Sequence, residues 1–93
     1  MPRVEMTDDQ VKASILHRLY RRGRWGAAYM PTDTLVNWMS RQVRDDGLRV
    51  KRMIRRLRRV GHVRLSKKGE TISLNSRHRD EIISFIERHL WAS

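Results

Sequence analysis

The spacing of the apolar residues changes abruptly at Gly61, in the second half of this chain of 93 residues. Before this glycine the apolar residues are spaced as on one face of an α-helix, and they are Val50, Met53, Ile54, Leu57 and Val60. After it, apolar and polar residues alternate in two short runs, 63–66 and 72–74, as in half-buried strands. The sequence therefore predicts a helix over 48–60 that is followed directly by a two-stranded hairpin over 62–74.

Capping and turn signals predict three more helices. Residues 7–10, Thr-Asp-Asp-Gln, have the spacing of a capping box, which predicts a first helix over 8–22. A short strand around 27–30 precedes a proline, and a second helix is expected from Thr32 to about Arg44. A last helix is expected to begin at Asn75 or Ser76 and to end near Trp91.

The length of the chain matches one small domain, with no room for a separate catalytic module. Residues 1–6 lack a periodic pattern and are expected to be a flexible arm, which leaves 7–93 as a single domain. The expected fold class is mainly α with a small β-hairpin. The first ten residues lack the apolar core of a signal peptide and no run is long enough to span a bilayer, so we expect a cytoplasmic, nucleoid-associated protein.

The net charge of +11 points to a polyanionic partner, and nucleic acid fits better than a membrane surface. In the basic helix, Arg52, Arg55 and Arg59 project opposite the apolar stripe, with Lys51, Arg56 and Arg58 at its sides. No acidic residue lies between 48 and 60 to form stabilising i,i+4 pairs. A solvated arginine face is the alternative interpretation, but the planar guanidinium also suits phosphates and guanine edges.

The order of these elements, from residue 8 to residue 91, resembles the winged-helix family of helix-turn-helix proteins. The resemblance is carried by Leu35-x3-Met39, the turn Asp45-Asp46-Gly47, the run Val50-x3-Ile54-x2-Leu57-x2-Val60-Gly61-x-Val63, and a Lys-Lys-Gly hairpin tip. It implies a winged helix-turn-helix fold, with helix 48–60 in the DNA major groove and hairpin 62–74 as a wing against the phosphate backbone or minor groove. An ordinary lysine-rich turn that discourages edge pairing is the alternative interpretation of the tip.

Together these observations predict a sequence-reading or architectural double-stranded DNA-binding protein, with a regulatory role in transcription. The predicted nucleic-acid contacts are Arg49, Lys51, Arg52, Arg55, Arg56, Arg59, Arg64, Lys67 and Lys68. An RNA- or ribosome-associated winged helix and a protein-interaction winged helix are the alternatives. Trp38 is expected in the core, whereas Trp25 stays open as a stacking platform for bases.

The sequence offers no catalytic, metal or cofactor site. It contains no cysteine, its four histidines are scattered, and its paired carboxylates fall at helix starts, where capping explains them. It also lacks a glycine-rich phosphate loop and a Gly-x-Ser-x-Gly nucleophile motif. We therefore expect neither an enzyme nor a small-molecule substrate.

The apolar residues of the last helix spread over about 160°, wider than the ~100° stripe that one packed layer needs. A symmetric homodimer through this helix is expected, and its predicted interface is Ile82, Ile83, Phe85, Ile86 and Leu90. The alternative is a terminal helix that closes a small core and leaves some apolar surface exposed.

Overall fold

Residues 6–41 and 47–91 are described by a computed structural model, and they form a mainly helical fold with a small antiparallel sheet. The helices are α1 (Asp8–Arg21), α2 (Thr32–Ser40), α3 (Leu48–Arg59) and α4 (Arg79–Ile86). The strands are β1 (Met30–Pro31), β2 (Val63–Ser66) and β3 (Thr71–Leu74). A 3₁₀ turn, Ser76–His78, leads into α4, and a π-helical turn, Glu87–Trp91, follows it.

The capping box predicted at the start of α1 is confirmed. The backbone N–H of Gln10 donates to Thr7 Oγ1 at 3.1 Å, and the backbone N–H of Thr7 donates to Gln10 Oε1 at 3.0 Å. Asp8 and Asp9 occupy the first turn, where carboxylates stabilise the positive end of the helix dipole. Local sequence therefore sets where α1 begins.

The hairpin predicted over 62–74 is confirmed as strands β2 and β3, with Leu65 paired to Ile72. The sheet gains a third strand, because β1 pairs with the other edge of β3 and the strand order is β1-β3-β2. Strand β1 is shorter than the expected 27–30 and is shifted towards Pro31. A proline lacks a backbone N–H, and an edge strand tolerates this loss.

One apolar core joins the helices to the sheet. The predicted stripe of α3 packs into it, with Val50, Met53, Ile54 and Leu57 buried. Val60 is an exception: it was expected in the stripe, but it is 59% exposed. The reason is that α3 ends at Arg59, so Val60 lies beyond the last turn that packs against the core.

Trp38, which was expected in the core, is only partly buried and packs against the core's edge. The guanidinium of Arg18 lies 4.0 Å from the centroid of its ring and covers one face. A stacked cation of this kind stabilises the exposed part of an indole ring.

Helix α4 has less free apolar surface than its sequence indicated. Ile82 and Ile86 have no exposed area within the single chain, so they are core residues and could not contact a second copy in this packing. The rest of the predicted interface, Ile83, Phe85 and Leu90, is partly buried. Helix α1 of the same chain packs against α4 and the turn that follows it, and this contact uses the surface that we expected a partner to cover. The homodimer stays a prediction.

Three expectations fall on residues that the structure does not describe. Helix α2 ends at Ser40 with Arg41 as its C-cap, and the rest of its expected extension, residues 42–44, lies outside the described residues. The same holds for the Asp45-Asp46 turn and for residues 1–5 of the expected N-terminal arm. The turn is described again from Gly47, which has a φ of +88° and precedes α3.

Two glycines with the same backbone conformation provide a test of this turn. Both positions have a φ that favours glycine, +88° at Gly47 and +89° at Gly69. A Cβ on Gly47 would lie 3.1 Å from Val36 Cγ1, whereas one on Gly69 would meet nothing within 4 Å. Gly69→Ala is expected to cost about 1–2 kcal/mol of unfolding free energy from backbone strain alone. Gly47→Ala should cost about 1–3 kcal/mol more, because it also crowds α2. Urea unfolding of both variants measures the difference, and equal losses would show that Val36 moves aside freely.

Candidate nucleic-acid interface

The face of α3 opposite the core is a continuous cationic surface. Three of its exposed residues are Lys51, Arg52 and Arg55, which together with Leu48 line a shallow depression of about 270 Å³. Leu48 is 62% exposed, although most leucines of this chain are buried. Leu48 was not among the predicted contacts, yet its spacing of four from Arg52 and seven from Arg55 places it on the cationic face.

The hairpin tip and the C-terminal half of α3 together form a larger concave surface, which we call the α3–tip groove. Its volume is about 580 Å³, and its cationic lining residues are Arg55, Arg58, Lys67 and Lys68. No acidic side chain lines it within the described residues. Arg58 was placed at the side of the helix and was not among the predicted contacts. The hairpin folds back over this side, and no local pattern in the sequence indicates that direction.

The backbone of the hairpin tip is strained at its two lysines. Lys67 and Lys68 have φ angles of +51° and +58°, and Gly69 follows at +89°. The turn is closed by hydrogen bonds from Gly69 N–H to the Ser66 carbonyl and from Glu70 N–H to the Lys67 carbonyl. Glycine or asparagine would adopt this conformation at lower cost. Two lysines therefore occupy strained positions at the tip, and strained residues cluster at functional sites.

Arg64 does not join this groove. It pairs with Ser73 in the β2–β3 ladder, and strand alternation points its side chain away from the face of Leu65, which lines the groove. Its side chain is exposed on the other face of the hairpin. The structure therefore separates Arg64 from the two lysines with which it was grouped.

Two predicted contacts on α3 are engaged by an acidic residue of α1. Asp8 Oδ1 accepts hydrogen bonds from Arg49 Nη2 at 2.7 Å and Nε at 3.0 Å, and Asp8 Oδ2 accepts one from Arg56 Nη1 at 3.3 Å. The side chain of Arg49 is only 21% exposed, whereas that of Arg56 is 53% exposed. Arg49 therefore forms a structural ion pair with little exposed surface, while Arg56 has both an exposed edge and a structural partner. Their nucleic-acid contacts stay predictions.

Trp25 does not provide an open stacking platform. It is partly buried, its ring meets Tyr20 edge-on at a centroid distance of 6.2 Å, and the guanidinium of Arg79 lies 5.3 Å from its centroid. A base would have to displace these contacts before it could stack.

Two histidines that are separated in the sequence meet around one carboxylate. Glu81 Oε2 lies 3.5 Å from His62 Nε2 and 3.3 Å from His78 Nδ1. Burial lowers the pKa of His62, and the histidine contacts lower the pKa of Glu81. Within residues 6–41 and 47–91, no three His, Asp or Glu side chains are grouped so that they could hold a metal ion. The part of the chain that the structure describes also has no helix that is long and apolar enough to cross a membrane.

The ion pairs of Asp8 predict a pH dependence of stability. The hydrogen bond from Arg49 is the main cause that holds the pKa of Asp8 below its ordinary value. A carboxyl group whose pKa is lowered by folding stabilises the fold above its unfolded-state pKa, about 4, and this contribution is lost as the pH falls through the folded-state pKa. Asp8→Asn should therefore unfold at a lower urea concentration than the wild type at pH 7.

The difference between Asp8→Asn and the wild type should shrink below pH 4 and vanish at lower pH. Asp9→Asn is the matched control, because its nearest cation, Lys12, lies 3.8 Å away in the same helix. If the gap between wild type and Asp8→Asn stays the same from pH 7 to pH 2, the ion pair to α3 does not stabilise the fold.

No protein-family model, curated protein or solved structure matches this chain. Its function must be inferred from its own residues and their arrangement.

Proposed function

We propose that this chain binds double-stranded DNA as a winged-helix domain. In this proposal α3 enters the major groove, and the β2–β3 hairpin lies against the flanking phosphate backbone. The order of the elements and the small sheet with β1 beside β3 support the winged-helix identification. A regulatory role in transcription and a nucleoid location belong to the same proposal.

The α3–tip groove is the observation that carries this proposal. Four cationic side chains from two elements face one concave surface, and three of them are Arg55, Lys67 and Lys68. Like charges that converge without acidic partners repel one another, so the arrangement is stabilised by a ligand that supplies several negative charges. A DNA backbone carries one negative charge per ~1.7 Å of helix axis, which suits a surface of this extent.

The first turns of α3 have the properties needed for base readout. A helix fits the major groove of B-DNA, and arginine donates two hydrogen bonds to guanine there. Leu48 and Arg55 lie on the same depression, so an apolar side chain and a guanidinium face the groove together. The exposed Leu48 provides an apolar contact for the methyl group of thymine.

Two alternatives, binding of RNA and binding of a protein partner, have different physical requirements. The major groove of A-form RNA is too deep and narrow for side chains to read, so a helix with an exposed cationic face such as α3 favours DNA. A protein partner would be bound through contacts that are less sensitive to salt than phosphate contacts are. Competition among duplex DNA, duplex RNA and single strands, repeated at two salt concentrations, distinguishes the three cases.

Arg55→Ala tests whether α3 reads DNA. Arg55 lines both the depression and the α3–tip groove, so its loss should weaken binding to the preferred duplex by about 1–3 kcal/mol. Arg77→Ala is the matched control, because it removes the same charge from an exposed position on the 3₁₀ turn. Fluorescence anisotropy with a labelled duplex, taken from a selection of bound sequences, gives both affinities. Equal losses in the two variants would exclude α3 from the interface.

The tip lysines should act on all duplexes alike, since phosphate contacts carry no sequence information. The double variant of Lys67→Ala and Lys68→Ala should lower the affinity for every duplex by a similar factor. It should also flatten the plot of log affinity against log salt by about one unit for each phosphate that the tip no longer neutralises. Unfolding curves confirm that the variant is folded. An unchanged salt slope would show that the tip does not touch the backbone.

A further inference from the structure

A second cationic cavity lies between the C-terminal part of α1, the loop that follows it and α2. Its volume is about 130 Å³, and it is lined by three arginines, Arg18, Arg22 and Arg24. The cavity is on the side of α2 that carries Thr34 and Trp38. The turn before α3 approaches the other side of α2, because a Cβ on Gly47 would face Val36 and Ser40. We call this space the α1–α2 cavity, and the α3–tip groove shares no lining residue with it.

Arg24 has a polar group that the protein leaves without an acceptor. Its Nη1 donates to the Tyr29 carbonyl at 3.2 Å, which fixes one side of the guanidinium. Its Nε is buried and has no hydrogen-bond partner among the described residues. A buried N–H without an acceptor is costly, so a turn of the Arg24 side chain that brings Nε against a ligand oxygen would stabilise the structure.

The charge of the α1–α2 cavity is also uncompensated. Arg18 stacks on the Trp38 ring, which holds its guanidinium at the cavity wall. Burial, together with the positive charges of Arg22 and Arg21, lowers the pKa of Arg18. No acidic side chain lines this cavity within the part of the chain that the structure describes.

We propose that the α1–α2 cavity binds a phosphate group. A phosphomonoester carries close to two negative charges near pH 7 and offers three strong acceptor oxygens, which match several guanidinium groups better than a singly charged carboxylate does. The Thr34 hydroxyl at the cavity wall can donate a further hydrogen bond. The phosphate belongs either to a small phosphomonoester, which has this chemistry, or to a nucleic-acid backbone, whose phosphodiesters each carry one negative charge and two free oxygens. The experiment separates these two sources.

Titration with inorganic phosphate tests the site directly. The full chain is labelled with ¹⁵N, chloride keeps the ionic strength constant, and the indole N–H resonances of the tryptophans are followed. The Trp38 resonance is expected to move and to saturate, while Trp91 serves as the internal reference because it does not line the cavity. Arg24→Gln should weaken phosphate binding by about tenfold or more, since it removes a charge-assisted pair of hydrogen bonds.

Two further variants make the result decisive. Arg77→Gln removes the same charge from an exposed position outside the cavity and should bind phosphate like the wild type. Arg22 also lines the cavity, and it is exposed at the end of α1. Arg22→Gln therefore tests the site if Arg24→Gln does not fold. Absence of a saturating Trp38 shift, or an equal loss in Arg22→Gln and Arg77→Gln, would overturn the proposal.

The source of the phosphate follows from a second titration, with phosphoserine and with a DNA duplex as separate probes. A Trp38 shift with phosphoserine alone assigns the site to a small phosphorylated molecule. A shift with the duplex, reversed by inorganic phosphate, assigns it to the nucleic-acid backbone. If neither probe moves Trp38, no phosphate ester fits and the proposal fails. The DNA affinity of Arg55→Ala is measured independently. A failure of the cavity to bind phosphate can therefore be distinguished from a failure of the proposed DNA binding.

Discussion

The packing of the apolar stripe of α3 against α1 decides which cations of this chain are exposed. A helix turns by about 100° per residue, so burial of Val50, Ile54 and Leu57 forces the arginines between them to face outwards. Asp8 stabilises this orientation of α3, because it accepts hydrogen bonds from Arg49 and from Arg56, which lies two helical turns further along the helix. The cationic face thus follows from where the core lies, and one carboxylate of α1 holds it in register.

The same packing offsets the repulsion within α3. Like charges four residues apart, as in Lys51 and Arg55, cost about 0.2–0.5 kcal/mol for each pair. Full burial of one Val, Ile, Leu or Met side chain contributes about 1.5–3 kcal/mol, and four such residues of α3 are buried. Burial therefore exceeds repulsion by a wide margin. The fold can hold a cationic helix that contains no acidic residue, and it needs no bound ligand for this.

Features encoded by neighbouring residues could be predicted, and features that depend on how distant segments meet could not. The capping box at Thr7 and the change of period at Gly61 are local, so the start of α1 and the β2–β3 hairpin were identified. The Asp8–Arg49 pair, the place of Arg58 in the α3–tip groove and the α1–α2 cavity join residues that no periodicity relates. Burial of Ile82 inside the single chain was missed for the same reason, since helical spacing shows how wide an apolar face is but not what covers it.

Strand β3 connects the two cationic surfaces. It is hydrogen-bonded to β2 on one edge and to β1 on the other, and the Thr32 N–H donates to the Glu70 carbonyl beside the tip at 2.8 Å. Pro31, which precedes Thr32, lines the α1–α2 cavity. Backbone hydrogen bonds rather than flexible side chains therefore link the wall of one surface to the tip of the other. Because a backbone ladder is far stiffer than a lysine side chain, the separation between the two surfaces is set by the fold.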